Sequence, residues 1–591
     1  MKKILKFNFI LLYLLIILSL SAKAFEQEEV FRAMQDEITR TLSELHLESL
    51  QKPYYVEYTL LFENEYSAKA VLGQIVESDN SQIATISVSV RVGDYKFDNT
   101  NFFDFGLNLF GSGDDEERFK NRQVPLELDY STLRRELWLA TDAAYKRAAE
   151  IYSKKESSLK NKMRKDTIDD YTQIPPETHI QTKDYAIPSM TEKENICKNV
   201  SAVFRNYPDI FNSSAAFQFL PQTIYYLNSE GRKYVKNEMF TGLEVVAISQ
   251  AEDGMPISNF YSVYGKVPAD LPNVDSLVRA TTIMAEATSK MLKADVLEDS
   301  YSGPIIFEGQ AASEVFAQTF APHLVAQRSP LTAQGVQTNE QYGAFQSKIG
   351  GRVLPEFLSV DAKPLQNKYR NITLTGSFYL DDEGVLPQNV NLVKDGYLKN
   401  LLSSRTPIKR VRKSNGHFRM GAPMFGVLEV TSDEKHSLSS KELKEKMLKL
   451  CKDRELPYGI IVRKAMNTNI LFTGIYRLSA GDFAFGRQPN TIPLVEVYKV
   501  NPDGTEKLLR GCELKQITQQ SFKDIINTSK NTYVLNYLAP AVVSTFVSGG
   551  RAYLSSSIIT PDLLFEDGEV KPIDDDFNKP PFLKNPLSIE K

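Results

Sequence analysis

Glu308 is the residue in this chain placed best to do chemistry, and its neighbours decide what chemistry remains open to it. It closes a short apolar strand, Gly303-Pro304-Ile305-Ile306-Phe307, and leads into a helix whose apolar residues Ala312, Val315, Phe316 and Phe320 recur at spacings of three and four. Phe307 stands immediately before the carboxylate and Ala312 four residues after it, and neither side chain can bind a metal. The five histidines, His46, His179, His323, His417 and His436, are far apart, with no pair at helical or hairpin ligand spacing. They read as separate surface or core residues, although the sequence leaves open a meeting of Glu308, His323 and His417 in space. No Gly-x-Ser-x-Gly elbow is present, and Ser548-Gly549-Gly550 reads as a tight turn.

Charge and cysteine usage narrow the classes further. The 591 residues carry 70 Lys+Arg against 74 Asp+Glu, a formal charge of −4. A mildly acidic chain lacks the electrostatic footprint of nucleic-acid binding. The basic run Lys409-Arg410-Val411-Arg412-Lys413 reads as a solvated strand edge or loop rather than a ligand site. Gly111-Ser112-Gly113-Asp114-Asp115-Glu116-Glu117 reads as an exposed loop and lacks the full oxygen pattern of a calcium site. Three cysteines, Cys197, Cys451 and Cys512, allow at most one disulfide and are too widely spaced for a metal or redox motif. Cys451 shares a helical face with Leu443, Met447 and Leu450 and reads as a buried thiol.

The chain opens with Met1-Lys2-Lys3, an apolar run from Phe9 to Leu20, and Ala22-Lys23-Ala24. That is the pattern of a secretory signal peptide cleaved after Ala24, and the run is too short to span a bilayer. Without Lys2, Lys3, Lys6 and Lys23 the formal charge falls from −4 to −8. The expected product is exported, periplasmic or extracellular, with no transmembrane segment.

The expected architecture is α+β. Residues 25–225 form an N-terminal domain with an antiparallel sheet and long helices, and residues 226–591 a strand-rich C-terminal domain, with the boundary at 220–230. Periodicity predicts a helix from Gln27 to about Leu50, then strands at Tyr54–Phe62, Lys69–Val76 and Gln82–Val92. Leu126–Lys165 reads as a helical hairpin or one long helix, and Gln173–Pro188 as a loop. Two amphipathic helices are expected at Asp275–Leu292 and Ser439–Lys452, the second with a Ser439-x-x-Glu442 capping box. Hairpins are expected between Ile372–Leu380 and Val390–Val393, around Asp381-Asp382-Glu383-Gly384, and after Leu494–Val500, at Asn501-Pro502-Asp503-Gly504. The Pro-rich tail after Asp574 reads as extended.

The strand-to-helix passage at Glu308 resembles the TldD/PmbA family of metallopeptidases and their inactivated relatives, where a His-Glu-x-x-x-His segment occupies this place. Further resemblance lies in Gly350–Phe357, Asp381–Gly384, Ser414-Asn415-Gly416-His417 and Pro561–Glu566. Laid on the family motif, the first His falls on Phe307, the general-base Glu on Glu308 and the second His on Ala312. The family's third ligand, a Cys near the C-terminus, falls where this chain has Val547-Ser548-Gly549-Gly550. The resemblance therefore implies a degenerate motif: no bound zinc, no catalytic residue, and Glu308 as the vestige of the base. It also implies the role of a silent subunit, a homodimer or a heterodimer with a zinc-bearing homologue, that grips extended peptide or unfolded protein. The alternatives are an active peptidase with a rearranged site and a stand-alone envelope peptide-binding scaffold.

Overall fold

A computed structural model describes residues 27–47, 50–103, 121–160, 168–182, 185–332, 335–336, 343–466, 491–515, 517–540, 553–573 and 576–588. The expected leader 1–24, the acidic loop 111–117 and the segment 547–550 lie outside these residues. No helix among the described residues is long and apolar enough to cross a membrane.

After helix α1 (27–44), shorter than expected, two strands of 19 residues each, β1 (Pro53–Val71) and β2 (Gln74–Val92), form one hairpin. The expected break after Phe62 does not occur. The polar stretch there is paired on both sides, with β2 and with β4 (Asn212–Asn228), so the backbone stays extended despite its side chains. A two-residue turn joins the strands, with Leu72 at φ 48° and Gly73 at φ 77°, the positive pair that matches strand twist. β3 (Asn121–Val124) pairs β2, while β5 (Lys233–Gln250) and β6 (Pro256–Gly265) follow β4. The short strand Thr178–Ile180, inside the stretch expected as loop, completes a seven-stranded sheet.

Four helices cover one face of this sheet. β1 gives Val56, Tyr58 and Leu60 to the cluster under α1 and α2 (Tyr130–Lys160). It gives Ala68 and Ala70 to the cluster under α3 (Met190–Ala202) and α4 (Val274–Met291). These are even-numbered positions along one strand, so they share a face. Leu126–Lys165 thus resolves into a single helix, and α4 lies where periodicity places it.

The boundary expected at 220–230 falls inside this sheet, on β4 and its turn into β5, and the chain passes to the second sheet only after α4. The hydrophobic alternation of β4 and β5 continues on both sides of the turn, so composition alone does not mark the passage.

The second sheet has thirteen strands among the described residues. Its centre is β7 (Tyr301–Phe307), held parallel to β11 (Gly459–Ala465) and antiparallel to β15 (Tyr553–Pro572). On one side follow β10 (Val427–Ser432), β8 (Leu358–Ala362) and β9 (Val390–Lys394), and on the other β12 (Thr491–Val500) and β13 (Glu506–Arg510). β14 (Ile525–Pro540) runs antiparallel to β15. Helix α5 (Gln310–Thr319) follows β7, and α6 (Ser440–Asp453) begins with the expected capping box: Ser439 N–H donates to Glu442 Oε2 at 2.8 Å and Glu442 N–H to Ser439 Oγ at 3.3 Å.

The hairpin at 501–504 forms between β12 and β13. The one expected between Ile372–Leu380 and Val390–Val393 does not: β9 pairs β8 instead. The turn between them is present but is held by Asp381, whose carboxylate accepts from the N–H groups of Glu383, Val385 and Phe418. This buried hub sends the chain inward rather than back along a strand. The basic run 409–413 is loop, and all three cysteines are buried free thiols.

The odd face of the first sheet meets the second domain through Arg405, which is fully buried. Its guanidinium bonds Glu230 at 2.7 Å and the Thr172 carbonyl, and lies 4.0 Å from the Tyr171 ring centre.

Candidate functional site

Strand alternation places Phe307 and Glu308 on opposite sides of the chain, and the two sides are built differently. Phe307 is buried, its ring 5.4 Å from that of Phe565, which in turn lies 5.3 Å from Phe522. Phe316 and Phe320 of α5 join the same group, at 5.9 Å and 5.1 Å from Phe522. Ala312 is buried in the same core. The two positions flanking the carboxylate are thus part of a close-packed aromatic cluster.

Glu308 turns the other way. Its N–H donates to the Val462 carbonyl at 2.8 Å, extending the β7–β11 ladder, and its Oε2 accepts from Arg463 Nε at 2.8 Å. The same guanidinium bonds Glu506 at 2.9 Å and lies 4.4 Å from the centre of the Tyr498 ring. Glu308 is therefore already matched to a fixed cation. Gly309 next to it has φ 52° and ψ −114°, a conformation open to glycine, and its N–H donates to Asp562 Oδ1 at 2.7 Å. Burial raises the Asp562 carboxyl above the usual carboxylate range.

The histidines do not converge on Glu308. His323 packs against Phe345, and burial lowers its pKa to about 4. His417 is buried beside Asn415 with its pKa lowered to about 3, again by burial. His179 faces Glu177, and His436 faces Asp433 while stacking on Phe357. Among the described residues no group of three His, Cys, Asp or Glu side chains could hold a metal.

In front of α5, a cleft of about 640 Å³ separates the two sheets. One wall is β6, the other is residues 533–538 of β14, and Gln310, Glu314, Arg463, Lys464 and Glu496 reach it between them. Among the described residues β6 pairs only with β5, so its outer edge faces the cleft. Lys464 Nζ caps the Phe260 carbonyl at 2.5 Å, and the Phe260 N–H bonds the Asn259 side chain, which shows that Phe260 points its backbone away from β5. By alternation Ser262 does the same, presenting an N–H and a carbonyl to the cleft. Burial lowers Lys464 to a pKa of about 8. Beneath β6, Tyr264 O–H donates to Glu244, a carboxyl that burial pushes up to about 8.

Residues 300–571 match the model of the PmbA/TldA metallopeptidase C-terminal domain. This span belongs to the TldD/PmbA family. Three solved structures share its fold across most of both chains. The first is a protein from Thermotoga maritima described as a candidate modulator of DNA gyrase, with TM-score 0.55, 14% identity, and coverage of 87% of this chain and 96% of that one. The second is TldE from Thermococcus kodakarensis, with TM-score 0.54, 12% identity and coverage of 91% and 100%. The third, from Bacteroides thetaiotaomicron, carries the gyrase-modulator description too, with TM-score 0.54, 10% identity and coverage of 92% and 98%. No curated protein matches.

Zinc, the metal that the resemblance to the TldD/PmbA peptidases implies, does not fit the described residues at this junction. A hydrocarbon cluster fills the room beside Phe307 and Ala312, and Arg463 already supplies a positive charge at Glu308. The third family position, at 547–550, lies outside the described residues. Sequence reading singled out Glu308 but missed Arg463, Glu506 and the open edge of β6. The two adjacent cations Arg463-Lys464 inside the apolar strand Gly459–Ala465 were the available clue.

Proposed function

We propose that this TldD/PmbA member is a catalytically silent protein that holds extended peptide in the cleft between β6 and β14. The supporting observation is the pairing of a filled metal position with a neutralised base: Phe307 and Ala312 lie in the core, and Glu308 is bound to Arg463. The edge of β6 at Ser262, between the Phe260 groups held by Asn259 and Lys464 and the Tyr264 carbonyl that accepts from Asn536, offers main-chain groups to a peptide in extended form, and strand addition needs no metal. In this reading the protein is exported, its mature chain starting at Phe25, and works as a dimer with itself or with a zinc-bearing homologue. A stable pair needs an interface of roughly 1,200 Å² or more.

The test joins metal analysis with peptide binding. The purified protein is expected to carry no stoichiometric zinc, to cleave no unstructured peptide, and to bind one by fluorescence anisotropy. Ser262→Pro removes an N–H that faces the cleft on an edge strand, where proline is tolerated, and is expected to weaken peptide binding roughly tenfold while leaving the melting temperature unchanged. Stoichiometric zinc with turnover would replace this reading with an active peptidase. Peptide binding indifferent to Ser262→Pro would move the grip elsewhere.

A further inference from the structure

The basic run 409–413 does not stand alone. Arg410 donates from Nη1 to the Ile349 carbonyl at 2.8 Å, and Arg412 Nε to the Lys409 carbonyl at 3.1 Å, which ties this loop to the turn at 349–352. That turn is stitched in its own right to a third segment: Gly350 N–H donates to the Leu398 carbonyl, Leu398 N–H to the Gly351 carbonyl, and Arg352 bridges Tyr397. Three stretches distant in sequence, 350–357, 394–400 and 408–414, thus form one continuous surface.

Its charge is one-sided. Arg352 comes from the first stretch, Lys394 and Lys399 from the second, and Lys409, Arg410, Arg412 and Lys413 from the third, and all seven are exposed. These stretches hold two carboxylates, Glu356 and Asp395. Among the described residues none of the seven cations lies within ion-pairing distance of a carboxylate. Elsewhere exposed cations are commonly paired, as with Arg454 and Glu566 or Lys146 and Asp142. Seven unneutralised cations repel one another, and this concentration in an acidic chain calls for an anionic partner. Tyr397 belongs to this surface, half-exposed, with Lys399 Nζ 5.6 Å from its ring centre and its O–H donating to Glu356 at 3.2 Å.

We propose that this surface docks on an anionic bilayer, its lysines and arginines against phosphate headgroups and Tyr397 at the headgroup level. Cations near an anionic leaflet add up, and an interfacial tyrosine has an apolar ring and a polar tip suited to that depth. A nucleic acid fits less well. The surface is made of loops and of the tight turn that joins the end of β9 to the two-residue strand Tyr397–Leu398, with no helix to enter a groove. A rigid duplex would also run beyond the basic area across an acidic molecule, whereas lipids gather laterally beneath it.

Co-sedimentation of the full chain with vesicles tests this. Binding to vesicles of phosphatidylcholine with about one-third phosphatidylglycerol is expected to exceed binding to pure phosphatidylcholine at least roughly tenfold at low salt, and to fall steeply with added salt. Lys409→Glu/Arg412→Glu/Lys413→Glu is expected to abolish the preference. Lys435→Glu/Lys441→Glu/Lys452→Glu makes the same charge change on and beside α6 and is expected to keep it. Unchanged melting temperatures certify both variants, and a variant that fails to fold is replaced by the corresponding Gln triple. Equal binding to both vesicles, or retention by the 409/412/413 variant, would overturn the proposal. Full competition by a short DNA duplex at matched phosphate would assign the surface to nucleic acid, and competition by inorganic phosphate at that concentration would reduce it to a single-anion site.

Discussion

On one side of the β7–α5 junction, Phe307, Ala312, Phe316, Phe320, Phe522 and Phe565 form a buried, close-packed core. On the other, Glu308, Arg463 and Glu506 form a half-exposed ion-pair chain that borders a cleft walled by the edge of β6 that no described strand pairs. Both sides grow from consecutive residues, yet they share no side chain. The period of two along a strand separates them. Residues on the core side can therefore be exchanged without disturbing the groups that border the cleft, and the two sides are separable at the level of backbone geometry.

Three changes sharpen or break this contrast. Phe307→Ala opens a cavity in the aromatic cluster and is expected to cost about 3–5 kcal/mol in urea denaturation. A cost below about 1 kcal/mol would show that the core side is loosely packed. Next comes Glu244, under the cleft wall. Its carboxyl is held protonated to about pH 8 in the fold by burial, against 4.5 for an ordinary glutamate. The folded state then binds the extra proton, so its contribution is fully present below pH 4.5 and is lost as pH rises through about 8. Glu244→Gln is expected to flatten about 1–3 kcal/mol of decline over that window, read from denaturation midpoints at a series of pH values. An undiminished decline in the variant would place the titrating group elsewhere. The smallest effect is expected on the exposed side: Glu308→Ala breaks a solvent-screened ion pair and is expected to change stability by less than about 1 kcal/mol. In any assembly with a zinc-bearing homologue it should leave turnover nearly unchanged, and a large fall in turnover with folding intact would restore Glu308 to acid–base work.

What the sequence displayed depended on the range of the interactions involved. The capping box at Ser439, the period of α4, the turn at Asn501–Gly504 and the passage from β7 to α5 are set by residues a few positions apart, and each appears where the pattern puts it. Pairings that depend on distant strands were not legible. Val390–Lys394 looks like the second arm of a hairpin, yet its partner is Leu358–Ala362, and β4 looks like the end of a domain while it is the middle of a sheet. At the site, the apolar character of Phe307 and Ala312 follows from residue type alone, and both are buried in the core. The cation that answers Glu308 is 155 residues away on a parallel strand, and no local pattern announces such a pair.

Arg405 carries a consequence for how the molecule comes apart. Its charge is buried between the sheets and is answered by Glu230 and by the Thr172 carbonyl, both of which belong to the other half of the chain. Pulling the halves apart would leave Glu230 without its cation, and would strip Arg405 of partners that water alone must then replace. The two halves are therefore expected to melt in a single transition, so the span 300–571 is a unit of kinship rather than a piece that can be cut out and expected to stand alone.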